Sequence, residues 1–142
     1  METMTQEDKD LLLKDLCARL PYGVKMTHIA DDKHCPKTLI GIAKDMITLE
    51  GIGGYECVDI EDYKPYLFPI SSMTEEQKRE YNSLRDFVPT YHYEYGDIVE
   101  DIELYDNWES IDYLIANHFD YRGLIEKGLA NDATGLGIYE DR

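Results

Sequence analysis

Leu12, Leu13, Leu16, Cys17 and Leu20 recur at helical spacing. Thr5 suits an N-cap ahead of them, and Pro21 and Gly23 end the run. The pattern predicts a helix over 6–19. Val24 to Ala30 alternates as a strand does, with Val24, Met26 and His28 on one side. Thr38 to Glu50 reads as a hairpin. With Lys44-Asp45 at the tip, Ile40 faces Leu49 and Ile42 faces Ile47; Lys-Asp is not a preferred two-residue turn, so a longer loop is the alternative. Gly51 to Gly54 makes a second turn before a strand over 55–60. The segment 61–72 holds Pro65 and Pro69 and is expected to be irregular, with Tyr63, Tyr66 and Phe68 packing it down. Thr74 as cap, Gln77 closing a capping box and Met73 as a staple predict a helix from 74 to about 86. Its inward residues would be Tyr81, Leu84 and Phe87 or Val88. Tyr91 to Tyr95 alternates with period two, predicting a short strand over 90–95; residues 98–105 are ambiguous. Trp108, Ile111, Leu114, Ile115 and His118 share one helix face. Phe119 to Gly123 breaks the pattern, and Leu124, Ile125 and Leu129 begin another. This predicts a helix pair over 107–130, with the sole tryptophan anchoring the core.

The fold class expected is therefore α+β: a small antiparallel sheet of three or four strands, an N-terminal helix, a middle helix and a C-terminal helix pair. A length of 142 residues suits a single domain over 1–142, with 131–142 a frayed tail. A domain of that size buries roughly 68–70% of its unfolded surface, enough to fold without disulfide or metal. No apolar run approaches the ~18 residues of a membrane span. The polar, acidic start METMTQEDKD is not a signal or transit peptide. Cys17, Cys35 and Cys57 are an odd set without framework spacing, which suits reduced thiols in a cytoplasmic protein.

Charge changes the picture more. Thirty acidic residues oppose fourteen basic ones, a formal net charge of −16. The imbalance is local, for no Lys or Arg occurs from Asp86 to Tyr121. Such a surface repels phosphate backbones and anionic lipid, which disfavours direct nucleic-acid or membrane binding; plain solubility is the simpler reading of it, and attraction of a basic protein partner the alternative.

The blocks KDLCARLPYGV (14–24), YKPYLFPISSMTEEQ (63–77) and FDYRGLIEKGLA (119–130) resemble a family of small uncharacterised proteins of Bacteroides-type gut bacteria and their phages and prophages. The hairpin region and the acidic segment 90–106 are where the resemblance lapses. It implies a bacterial cytoplasm and a gene carried on mobile elements. It supplies no catalytic residue.

Chemistry-bearing residues are present without a chemical pattern. Cys17, His28, His34, Cys35 and Cys57 are ligand types, but no CxxC or HxxxH spacing joins them. Buried thiols at Cys17 and Cys57 and a turn at 34–35 are the simpler reading. Asp97, Glu100, Asp101 and Glu103 cluster without the sixth-position glycine of a calcium loop. Gly51 to Gly54 lacks the GK[ST] of a phosphate loop. Ser71, Ser72 or Cys35 as nucleophile, with His28, His92 or His118 as base, are joined by no motif. No catalytic, metal or cofactor site is assigned.

The remaining signal is a surface. Tyr91, Tyr93 and Tyr95 project to one side of a strand, beside Glu94, Asp97, Glu100 and Asp101, either as an exposed row for a protein partner or as the inner face of an edge strand. Asp120 to Gly123 is a corner that either presents Tyr121 and Arg122 or serves structure, with Asp120 capping a helix and Arg122 satisfying carboxylates. The leading expectation is a non-enzymatic accessory protein that binds another protein through this acidic, tyrosine-rich surface. The alternatives are a nucleic-acid mimic that inhibits a DNA-binding enzyme, which needs the acids of 94–112 on one face, and an enzyme of unrecognised type.

Overall fold

The structure, a computed structural model, describes residues 4–30 and 35–139. Residues 31–34, with the candidate ligand His34 of the turn expected at 34–35, lie outside them, as do residues 140–142. The chain falls into two compact units, one of Met1–Ser72 with Ile115–Arg142 and one of Met73–Leu114.

In the first unit Thr5 accepts the Asp8 N–H and opens α1 (Gln6–Arg19). Its apolar stripe is rotated from the expected one. Leu12, Asp15, Leu16 and Arg19 are buried, and Cys17 is exposed. The cause is an ion pair that turns two charged side chains inward. Arg19 Nε donates to Asp15 Oδ2 at 2.7 Å and Arg19 Nη2 to the Phe119 carbonyl at 2.6 Å. Leu12 and Leu16 share one core with Met26, Leu39, Ile47 and Leu49 of the sheet. Full burial of each such leucine stabilises by about 1.5–3 kcal/mol.

The sheet is larger than expected. Six strands lie in the order β4-β3-β2-β1-β5-β8, where β1 is Lys25–His28, β2 Lys37–Ala43, β3 Met46–Gly51, β4 Gly54–Asp59, β5 Tyr63–Leu67 and β8 Asn131–Asp132. The first four form the expected antiparallel meander. The β2–β3 turn is the two-residue Lys44-Asp45, with Lys44 at φ 58°. Ile42 faces Ile47 as expected, but a bulge between Leu39 and Gly41 sets Leu39, not Ile40, opposite Leu49 and leaves Ile40 exposed.

Both added strands come from segments read as irregular. β5 tolerates Pro65 because Pro65 faces Met26 of β1 on one side, while β8 meets β5 only at Tyr66 and Leu67. β8 pairs parallel to β5, which makes the sheet mixed. Residues 131–139 are therefore docked rather than frayed. Beyond β8, the buried Tyr139 hydroxyl donates to the Tyr66 carbonyl at 2.9 Å and accepts the Lys25 N–H at 2.8 Å.

The expected C-terminal helix pair is one helix, α3 (Trp108–Ala116), and the unit boundary falls within it. No second helix follows among the described residues. Phe68 N–H donates to the His118 carbonyl and Asp120 N–H to the Phe68 carbonyl, both at 2.8 Å, which draws the chain out beside Phe68. Gly123 and Gly128 then take φ values of 74° and 75°, where a helix cannot continue.

Candidate functional site

The second unit is built on α2 (Glu75–Leu84), whose capping box forms as expected. Thr74 Oγ1 accepts the Gln77 N–H and Gln77 Oε1 accepts the Thr74 N–H. Asn107 and Ser110 make a second reciprocal cap at the start of α3, and Asn107 Nδ2 donates to the Leu84 carbonyl at 2.8 Å. Tyr81 and Tyr113 stack with ring centroids 6.4 Å apart. Tyr81 donates to Asp106, and Tyr113 donates to Glu80 at 3.0 Å. Burial, aided by these carboxylates, pushes both phenols up to about 12. They are held protonated and serve as hydrogen-bond donors rather than as bases. Arg85 lies over the Tyr81 ring at 5.1 Å, and its Nη2 donates to the Leu104 carbonyl at 2.9 Å. These contacts anchor the base of a hairpin.

That hairpin is β6 (Asp86–Glu94) and β7 (Asp97–Tyr105), paired over nine residues without a bulge. The ambiguous segment 98–105 is thus a strand, and the strand expected over 90–95 begins earlier. Tyr95 at φ 53° and Gly96 at φ 87° form the two-residue turn, the positive-φ geometry that matches strand twist. Directly opposed residues share a face. One face carries Phe87, Pro89, Tyr91 and Tyr93 against Leu104, Ile102, Glu100 and Ile98. Its only charge is Glu100. The other carries Asp86, Val88, Thr90, His92 and Glu94 against Tyr105, Glu103, Asp101, Val99 and Asp97. There His92 lies 3.2 Å from Asp101 and 3.5 Å from Glu94.

Both faces are exposed. Tyr91 and Tyr93 are 65% and 78% accessible, and Tyr95 at the turn is fully so. Phe87 and Val88 are exposed too, not inward as expected. Trp108, expected to anchor the core, is 90% accessible at the start of α3. Ten of the eighteen large exposed hydrophobic side chains among the described residues belong to this unit: Phe87, Val88, Tyr91, Tyr93, Tyr95, Ile98, Ile102, Leu104, Tyr105 and Trp108.

Tyr91, Tyr93, Tyr95, Glu94, Asp97, Glu100 and Asp101 are thus gathered on one hairpin. Tyr121 and Arg122 belong to the other unit and have structural tasks there. Arg122 Nε donates to the buried Asp15 at 3.2 Å and its guanidinium covers the Tyr121 ring at 4.6 Å. Asp120 accepts the N–H groups of Leu124 and Ile125 at 2.8 and 2.9 Å, a cap without a helix after it. Beside this corner is an open depression of about 350 Å³ that includes Ser71, Asp120 and Tyr121. Phe87, Ile98, Ile102, Leu104 and Trp108 were not among the residues expected at the surface site. Phe87 keeps the period-two spacing of Tyr91 and Tyr93, whereas the shared face of Ile98, Ile102 and Leu104 emerges only from their register with β6.

The chemical candidates are dispersed. His28 is exposed and accepts the Ala30 N–H; His118 is buried and stacks on Tyr139 at 3.9 Å; the Ser72 hydroxyl donates to the Pro69 carbonyl at 2.6 Å. Cys17, Cys35 and Cys57 are exposed, so Cys17 and Cys57 are not the buried thiols expected. Among the described residues no group of three or more His, Cys, Asp or Glu side chains could hold a metal ion, and no helix is long and apolar enough to cross a membrane. Comparison with protein-family models, curated proteins and solved structures finds no match to this chain.

Proposed function

We infer that this is a non-enzymatic accessory protein whose second unit docks onto another protein through the β6–β7 hairpin. One observation carries the reading: a nine-residue strand pair presents an apolar face, with Tyr91, Tyr93, Ile98 and Ile102 all exposed and a single charge among them. Isolated hydrophobic residues on a surface are ordinary, but a contiguous patch marks an interaction site. Tyrosine and tryptophan are favoured at such sites, and the surrounding acids suit a polar rim. The setting proposed from the resemblance of 14–24, 63–77 and 119–130 is a bacterial cytoplasm and a mobile element.

The test is capture from a lysate of the source organism, comparing the wild-type chain, Tyr91→Ser/Tyr93→Ser and a control, Tyr55→Ser, on the β4 strand of the other unit. The expected result is a stoichiometric partner retained by wild type and control and lost by the double variant. Equal retention by all three would sink the reading.

Nucleic-acid mimicry is the second reading. In its favour Asp86, Glu94, Asp97, Asp101 and Glu103 line one hairpin face. Against it Glu100 is on the other face and Asp106 is engaged by Tyr81 and Arg85. A DNA-binding enzyme as the captured partner, released by Asp101→Asn/Glu103→Gln and unaffected by Tyr91→Ser/Tyr93→Ser, would promote it.

A further inference from the structure

The two outer edges of the hairpin are not equivalent. Closure by a two-residue turn makes Glu94 and Asp97 a hydrogen-bonded pair, and the alternation then runs through His92 with Val99, Thr90 with Asp101 and Val88 with Glu103. The Thr90 hydroxyl beside the Asp101 carbonyl, at 3.4 Å, agrees with this phase. Phe87, Pro89, Tyr91 and Tyr93 therefore direct their main-chain groups out along β6, and Ile98, Glu100, Ile102 and Leu104 out along β7. On β6 the central outward position is Pro89, which has no N–H to offer an added strand. On β7 Arg85 takes the Leu104 carbonyl. Ile98, Glu100 and Ile102 remain, and β7 pairs with no strand but β6 among the described residues.

Long edge strands are normally blunted by proline, lysine or a bulge, because an exposed edge templates pairing with another chain. β7 has none of the three. It has acids, and they are placed asymmetrically. Asp97, Asp101 and Glu103 are on one face with Val99, and Ile98, Ile102 and Leu104 are on the other with the single acid Glu100. An added strand alternates in the same way, so one set of its side chains meets the isoleucines and the other meets the carboxylates. A second copy of β7 would set acid beside acid, which is destabilising for directly opposed like charges.

Building on the docking role of the hairpin, we propose that the outer edge of β7 takes up an extended segment of a partner protein in which apolar residues alternate with lysine or arginine. Main-chain hydrogen bonds to Ile98, Glu100 and Ile102 hold the segment. The alternation of its side chains selects it, and the acids exclude self-pairing.

The test uses the intact chain and a blocked decapeptide of alternating lysine and valine, followed by titration. The expected result is binding weakened about tenfold or more when the peptide is N-methylated along its backbone, since several main-chain bonds are lost while charge and apolar content are kept. Asp101→Asn/Glu103→Gln should weaken the unmodified peptide similarly. Ile102→Pro, which removes one outward N–H at a position not bonded to β6, should do the same. An alternating glutamate–valine peptide should not bind. Any of four results would overturn the proposal: no binding of the lysine–valine peptide, equal binding of its N-methylated form, equal binding of a lysine–serine peptide, or a homodimer in sedimentation that Ile102→Pro dissociates. If the peptide fails while Tyr91→Ser/Tyr93→Ser still releases the cellular partner, the edge assignment falls and the docking face stands. If neither hairpin substitution matters in capture, the docking reading falls with it.

Discussion

Arg19 is among the largest side chains with no exposed surface, and it is charged. It is tolerable only because Asp15, also fully buried, accepts its Nε, and because the Phe119 carbonyl accepts its Nη2. Arg122 adds a second donor to the same carboxylate. Asp15→Ala would strand two guanidinium groups, one of them fully buried, and is expected to cost about 3–5 kcal/mol in urea unfolding, the usual penalty for breaking a buried pair. Tyr81 and Tyr113 make a different prediction. Their folded-state phenols are raised to about 12 from an ordinary value of 10. The folded state holds these protons more tightly, so their stabilising contribution is complete below pH 10 and is lost as pH rises toward 12. Burial or a neighbouring carboxylate also raises Tyr63, Tyr105 and Tyr121, so spectrophotometric titration should show a late phase that Tyr81→Phe/Tyr113→Phe shrinks by two tyrosines rather than abolishes. Phenols titrating together near pH 10 would contradict the hydrogen bonds to Asp106 and Glu80.

Among the elements, the β6–β7 turn places a tyrosine where a side chain is strained. Tyr95 at φ 53° is a position that asparagine or glycine fills more easily. Tyr95→Asn should stabilise hairpin closure by about 1 kcal/mol, read as slower amide exchange along β6 and β7. Faster exchange would mean that the Tyr95 ring holds the turn in some other way. The same elements show what the sequence reveals of the fold. Helices α1 and α2 and the β1–β4 meander could be read directly, because caps, periodicity and turn residues agree locally. What eluded the sequence depends on distant partners. β5 accepts a proline because of where β8 stops, and residues 124–129 carry apolar spacing without a helix because Phe68 draws Phe119 and Asp120 into a bridge. Cys17 is exposed because the Asp15–Arg19 pair rotates α1. At the candidate site Tyr91 and Tyr93 share a face as their spacing implies, but Tyr95 lies in the turn, Glu100 falls on the apolar face, and the other half of that face could not be read. Acids interleaved with Ile98, Val99, Ile102 and Leu104 blur a period of two until the register with β6 is known.

Across the whole molecule, a net charge of −16 on 142 residues makes the folded state repel itself. Screening should therefore raise the melting temperature as salt increases from low to physiological levels, with most of the change complete once the Debye length falls to about 8 Å. A melting temperature insensitive to salt would show that local pairs such as Lys9–Glu61, at 2.8 Å, already offset the excess. The two units also differ in what holds them. The first has a continuous apolar core, and the second rests on stacked tyrosines, caps and a hairpin exposed on both faces. The exposed position of Trp108 bears on how such differences are seen. It is the only indole in the chain, and water already surrounds it in the native state. Its fluorescence should barely move when the six-stranded sheet melts, so an emission-monitored denaturation curve would miss the main event that circular dichroism records. Coverage of Trp108 by a bound protein would shift the same emission to the blue, so a change in this signal would report contact at the start of α3 rather than folding.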